Sequence, residues 1–162
     1  MKVGIIADTH DYLPNIDKAV SLFNERKVEH IIHAGDIVSP FTANIFRKLR
    51  APMKAVFGNN DGDKLFLAKS FEGIAEFHER YLTLELQGKR ILVFHQPDFI
   101  ESVSRSRDYD VVIHGHTHKM RVDNREALLI NPGECCGYLT NRASVVILDL
   151  NTMNVEVLEL PA

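Results

Sequence analysis

Two histidines stand two residues apart in Gly115-His116-Thr117-His118, directly after the apolar run Val111-Val112-Ile113. In an extended chain residues i and i+2 project to the same side, so both imidazoles can be aimed at one point in space. A lone His-x-His reads most simply as an exposed polar turn. Here the chain offers partners, since Asp8, His10, Asp36, Asn59 and His95 each lie just past the end of another apolar segment. Open α/β sheets place their sites at such strand ends. Seven nitrogen and oxygen donors from five strand ends exceed what one ion needs. Two ions sharing one carboxylate would use them all.

The sharing has an electrostatic reason. Two dications about 4 Å apart repel by on the order of 16 kcal/mol at an effective dielectric near 20, so something negative must stand between them. Asp36, with only the small Ala34 and Gly35 between it and its strand, is the candidate bridging carboxylate, and a bridging hydroxide would be the second anion. Manganese is the expected metal, while nickel, iron, cobalt and zinc also suit mixed nitrogen and oxygen donors.

The elements that must carry these residues follow from periodicity. Residues 2–7 are almost continuously apolar, as in a central strand covered on both faces, and run into Asp8-Thr9-His10. Pro14 suits a helix start, and Ile16, Ala19, Val20 and Phe23 share one face of an amphipathic helix over 14–26. A strand over 30–33 leads to Asp36, and Ser39 is placed to cap a helix that begins at Pro40, with Phe41, Ile45 and Leu49 at helical spacing. The third strand, 53–57, runs into Gly58-Asn59-Asn60-Asp61 ahead of a short helix over 64–71. Repeated strand, loop and helix units imply parallel strands joined by crossovers.

Beyond residue 80 the rhythm changes. Leu82, Leu84 and Leu86 alternate along a strand, Gly88 turns the chain, and the returning strand over 90–94 ends at His95. A short helix over 99–106, a strand over 110–113, a hairpin within 119–130 and a final hairpin within 143–160 complete the chain. The first half reads as αβ and the second as mostly antiparallel β. Because no Pro/Gly/Ser linker separates them, residues 1–162 are taken as one domain with two layers.

In chain order, Asp8-Thr9-His10, Gly35-Asp36, Gly58-Asn59-Asn60-Asp61, an isolated His95 and Gly115-His116-Thr117-His118 resemble the motifs of the calcineurin-like metallophosphoesterases. The similarity is greatest to their small bacterial and archaeal phosphodiesterase branch, which is also related to a eukaryotic retromer subunit. It covers residues 1 to about 140. The resemblance implies a four-layer αββα sandwich, the calcineurin-like phosphoesterase fold, and a phosphodiester substrate. By motif, one ion would be held by Asp8, His10, Asp36 and His118, and the other by Asp36, Asn59, His95 and His116. A hydroxide bridging the two would attack phosphorus in line. Asp36, Asn59, Asn60 and Asp61 make up the expected catalytic group. Two places depart from the family pattern: Asn60 stands where many members have a proton-donating His, and His95-Gln96-Pro97 stands where His-Gly-His is usual.

Charge counting refines the substrate. Two dications, the carboxylates of Asp8 and Asp36 and one hydroxide sum to about +1, which a phosphodiester neutralises and a dianionic monoester overshoots. The runner-up reading is a protein-interaction scaffold on the same fold with a vestigial metal site, and the filled set of ligand positions weighs against it.

Other classes are excluded by what the chain lacks. A net charge of -3 and a pI near 6.2 give no general nucleic-acid or anionic-membrane binder. No segment approaches the ~18 apolar residues of a membrane span, and the first apolar run is too short for a signal-peptide core, so a cytoplasmic location is expected. Neither G-x-x-x-x-G-K-[ST] nor G-x-S-x-G occurs. Cys135 and Cys136 are adjacent, which fits neither a zinc knuckle nor a disulfide framework, and are read as loop packing. His33 is read as a core hydrogen-bonder, and His30, His78 and His114 as non-ligands. Asp61 either orients a neighbour or caps the next helix, and Asn131-Pro132-Gly133 is read as a turn.

Overall fold

A computed structural model describes residues 1–161. Its first half runs β1 (Lys2–Ile6), α1 (Leu13–Glu25), β2 (His30–His33), a 3-10 turn (Pro40–Thr42), α2 (Ala43–Phe46), β3 (Met53–Val56), α3 (Lys64–Ser70) and β4 (Ala75–His78). The rest runs β5 (Tyr81–Leu86), β6 (Lys89–Phe94), α4 (Ile100–Arg105), β7 (Val111–Ile113), β8 (Arg121–Asn124), β9 (Leu128–Asn131), β10 (Ser144–Asp149) and β11 (Asn154–Glu159). These strands build a six-stranded sheet of order β11-β10-β1-β2-β3-β4 and a five-stranded sheet of order β5-β6-β7-β9-β8.

Strand alternation sorts the apolar residues into layers. Val3, Ile5 and Ala7 face the second sheet, where they pack with Ile91, Val93, Val111 and Ile113. Ile6 faces the other way, onto Ile16, Val20 and Phe23 of α1 and Phe46 of α2. Gly4 lies on that face too, where a Cβ would stand 2.9 Å from the Phe23 ring. On the outer side of the second sheet, Val112 and Leu129 pack against Ile100 and Val103 of α4. The result is the expected helix, sheet, sheet, helix order. Each fully buried aliphatic or aromatic side chain in it contributes about 1.5–3 kcal/mol.

The fold departs from the sequence expectations at several points. The final hairpin does not join the second layer: β10 pairs antiparallel with β1, so it extends the first sheet. Its run Ser144 to Leu148 is buried throughout, the same signature that marks β1 as central. The second sheet is mixed, because β7 runs parallel to both β6 and β9. Finally, β4 goes unseen in the sequence, since a four-residue, half-buried edge strand shows too little alternation.

The helix after Pro40 is shorter than its spacing suggests, and Ser39 does not cap it. The Ser39 hydroxyl donates instead to Asp11 Oδ2 at 2.5 Å, tying two loops together. Among the described residues no helix is long and apolar enough to cross a membrane.

Candidate metal centre

The strands β1, β2, β3, β6 and β7 end on one side of the molecule, and the loops that follow them carry all seven ligand-type residues. Backbone bonds fix these loops to one another. The N–H groups of Thr9 and His10 both donate to the Asp36 carbonyl, at 3.0 and 3.1 Å, while Gly115 N–H donates to the His95 carbonyl at 3.2 Å. Across the two sheets, His116 N–H donates to the Asp8 carboxylate, 3.1 Å from Oδ2. Asp8, His10, Asp36, His116 and His118 all have positive φ, between 39° and 68°. Such backbone costs about 1–3 kcal/mol per non-glycine residue and persists only where the surroundings impose it, commonly at functional sites.

Asp36 lies in the middle of the cluster. Its Oδ2 is 3.5 Å from His10 Nε2 and 3.2 Å from His95 Nε2. On one side, Asp8 Oδ1 is 3.9 Å from His10 Nε2 and 3.7 Å from His118 Nε2, and the two imidazoles stack at 5.0 Å. On the other, Asn59 Oδ1 is 3.0 Å from His95 Nε2 and 2.8 Å from His116 Nδ1. His95 Nδ1 is 2.9 Å from the Ala34 carbonyl, to which only a protonated Nδ1 can donate. That bond sets the ring so that Nε2 faces Asp36.

Electrostatics and burial test whether cations fit here. His10 Nε2 is buried without a hydrogen-bond partner among the described residues, although two carboxylates face it. Asp8 has no exposed surface, and burial pushes its carboxyl up to about 7 against the pull of His95 and His118. Burial would raise Asp36 as well, but its bonds with His95 and Asn60 hold it well below the ordinary carboxylate range. An unpartnered ring nitrogen and a desolvated carboxylate both gain from a cation between them. The donor set therefore fits divalent ions that accept nitrogen and oxygen together.

The remaining expected residues have other surroundings. Asn60 grips Asp36 twice, from its backbone N–H to Oδ1 and from Nδ2 to Oδ2, each at 2.8 Å. Asp61 accepts the N–H groups of Gly58, Val38 and Asp36 at 2.6, 2.7 and 3.2 Å. Both of its oxygens are thus taken by backbone, and it orients the loops around Asp36. The helix cap is Asp63, which accepts Phe66 N–H at 3.0 Å. His33 is fully buried, accepts Gly35 N–H at Nδ1 and pairs with the Thr9 hydroxyl. Burial lowers its pKa to about 3, so it stays neutral.

One residue escapes the sequence reading altogether. Glu134 has no exposed surface, and its Oε2 is 2.7 Å from His118 Nδ1. Burial alone would raise its pKa, yet the bonds from His118 and Thr140 hold it at about 2. Its oxygens also accept from Leu139 N–H, Thr140 N–H, the Thr140 hydroxyl and Cys136 Sγ. Although His118, Glu134 and Cys136 lie close enough to hold an ion, the Glu134 oxygens are already filled by donors. Glu134 instead keeps the His118 proton on Nδ1 and leaves Nε2 facing Asp8. Replacing it should show this. Manganese titration of Glu134→Gln is expected to give about 10- to 100-fold weaker binding. Glu134→Ala, which strands several buried donors, should lose about 3–5 kcal/mol in urea denaturation of the metal-free protein.

Comparison with known proteins follows the same line. Residues 1–153 match the calcineurin-like phosphoesterase superfamily domain. The chain is 42% identical over 154 residues to a phosphodiesterase of Methanocaldococcus jannaschii, covering 92% of this chain and 93% of that one. It superposes on an archaeal phosphodiesterase structure with a TM-score of 0.93 at 39% identity, covering 99% of this chain and 100% of the other. Vps29 of Chaetomium thermophilum shares the fold, with a TM-score of 0.69 at 18% identity over 98% of this chain and 95% of that one.

Proposed function

The chain belongs to the calcineurin-like phosphoesterase superfamily, and from that premise we propose that it is a phosphodiesterase working through two divalent metal ions, with manganese the expected metal. One observation carries the proposal: the Asp36 carboxylate lies between two sets of donors, 3.5 Å from His10 and 3.2 Å from His95. Asp8, His10, Asp36 and His118 would hold one ion, and Asp36, Asn59, His95 and His116 the other. Ions held there would supply positive charge against the phosphoryl oxygens and lower the pKa of water toward ~7, making a hydroxide nucleophile available at neutral pH.

The chain's own contribution is positioning. Asn60 fixes both oxygens of Asp36, and Asp61 fixes the loops that carry Asp36 and Asn59. The Ala34 carbonyl and Glu134 set the rings of His95 and His118, and His116 N–H steadies Asp8. Asn60 carries no ionisable proton for the leaving oxygen. Turnover should therefore depend steeply on leaving-group acidity.

The activity of the archaeal relative supports a phosphodiester substrate, and so does the charge balance of the site. With added manganese, bis-p-nitrophenyl phosphate is expected to turn over faster than p-nitrophenyl phosphate. Faster turnover of the monoester would overturn the diesterase reading. A cytoplasmic location belongs to the same proposal, supported by Cys135 and Cys136, which are buried and unpaired.

A further inference from the structure

Beside the Asn59 and His95 end of the cluster opens a cleft of about 480 Å³, within the size range of ligand pockets. It lies where the first sheet meets the end of β6. Lys64 at the start of α3, Glu79 and Arg80 between β4 and β5, and Gln96 and Asp98 after β6 contribute to its walls. Gln96 belongs to the segment in which this chain departs from the usual His-Gly-His.

The chemistry of the walls selects what can sit there. Two cations and two carboxylates cancel, and Lys64 is already engaged, 2.8 Å from Glu79 and 5.2 Å over the centre of the Phe57 ring. A second phosphate would find no excess of positive charge. A hydrocarbon arm would find little apolar wall, because the rings of Phe57 and Phe94 are half-buried and stacked on Phe77 and His114. What stays free is polar: among the described residues the side chains of Arg80, Gln96 and Asp98 make no hydrogen bond or ion pair, and all three are exposed. A carboxylate only accepts, a guanidinium only donates, and an amide does both, which is the complement of hydroxyl groups on a sugar. Carboxylates read ribose hydroxyls in this way in dinucleotide folds.

We propose that this cleft holds one arm of the diester, that the arm is a neutral hydroxylated group such as the sugar of a nucleoside, and that Asp98 and Gln96 recognise its hydroxyls. The proposal rests on the diesterase reading, since the cleft matters only if a phosphate sits at the adjoining cluster.

Calorimetric titration of the manganese-loaded protein tests it without turnover. The probes are adenosine 5′-(methyl phosphate), its 2′,3′-dideoxy analogue, glyceryl methyl phosphate, methyl octyl phosphate and dimethyl phosphate. The adenosine diester is expected to bind about tenfold or more tighter than its dideoxy analogue, and Asp98→Ala or Gln96→Ala should bring that ratio close to one. Glyceryl methyl phosphate matching the adenosine diester would assign the arm to a glycerol type, and weaker binding to a nucleoside type, with hydroxyl recognition upheld in both cases. Equal binding of the dideoxy analogue, an unchanged ratio in Asp98→Ala, or tighter binding of methyl octyl phosphate would overturn it. An inert protein that still discriminates hydroxyls would sink the diesterase reading alone, whereas hydrolysis without discrimination would sink only the cleft.

Discussion

Asp36→Asn is expected to fold, to lose both cations, and to lower kcat/KM for a diester by about a thousandfold or more. The replacement conserves volume and keeps an oxygen to accept Asn60 N–H, which now bonds Oδ1 at 2.8 Å. What it removes is the negative charge between His10 and His95. Without that charge two dications a few ångströms apart face repulsion on the order of 16 kcal/mol with less to offset it. Metal analysis after gel filtration, with circular dichroism to establish folding, reads the effect directly. A folded variant that keeps two ions and most of its activity would contradict the proposed bridging role of Asp36.

Gly58→Ala should be nearly as damaging although it adds a single methyl. The backbone of Gly58 has no positive φ, so alanine meets no torsional barrier there. The obstacle is steric, because the new Cβ would stand 2.1 Å from Asp36 Oδ1 and 2.5 Å from Asp36 N. Neither is the loose end of a long side chain. Asp36 must move, which breaks its bonds with Asn60 and its alignment with His95. A stability loss of about 1–3 kcal/mol is expected from overpacking, together with loss of manganese binding. Gly62→Ala is the control in the same loop, since nothing lies within 4 Å of its added carbon. That variant should be neutral or slightly stabilising in urea denaturation. Equal effects at the two positions would show that the loop tolerates or rejects side chains for reasons unrelated to Asp36.

The legibility of the fold divides along physical lines. β1, β2 and β3 are short apolar runs ending in ligand-type residues, and both signals are local, so the sequence carries them. The place of β10 beside β1 is a pairing between residues more than 140 positions apart, and no local pattern encodes a partner. The edge strand β4 is visible only because β3 offers it a parallel neighbour.

The site divides in a similar way. Asp8, His10, Asp36, Asn59, His95, His116 and His118 announce themselves by donor type at strand ends, and the structure brings all seven side chains to one place. Asp61 and Asp63 cannot be separated by type or spacing, and only the backbone shows that one orients the loops and the other caps α3. Glu134 follows Asn131-Pro132-Gly133, a run that reads as a turn. Its partners at 139 and 140 exist only after the loop folds back over it. A faint signal was nonetheless present: Glu134 is the one charged residue in the stretch 127–136, which is buried along its whole length. A buried carboxylate without a nearby basic residue in sequence must find its partner elsewhere, and here that partner is His118.

The number of ions the chain holds separates one metal site from two. Metal analysis of protein loaded with manganese and freed of excess should find two ions per chain, and one in each of His116→Ala and His118→Ala. A single ion in the unsubstituted protein, or the loss of every ion in both variants, would contradict two sites joined at Asp36.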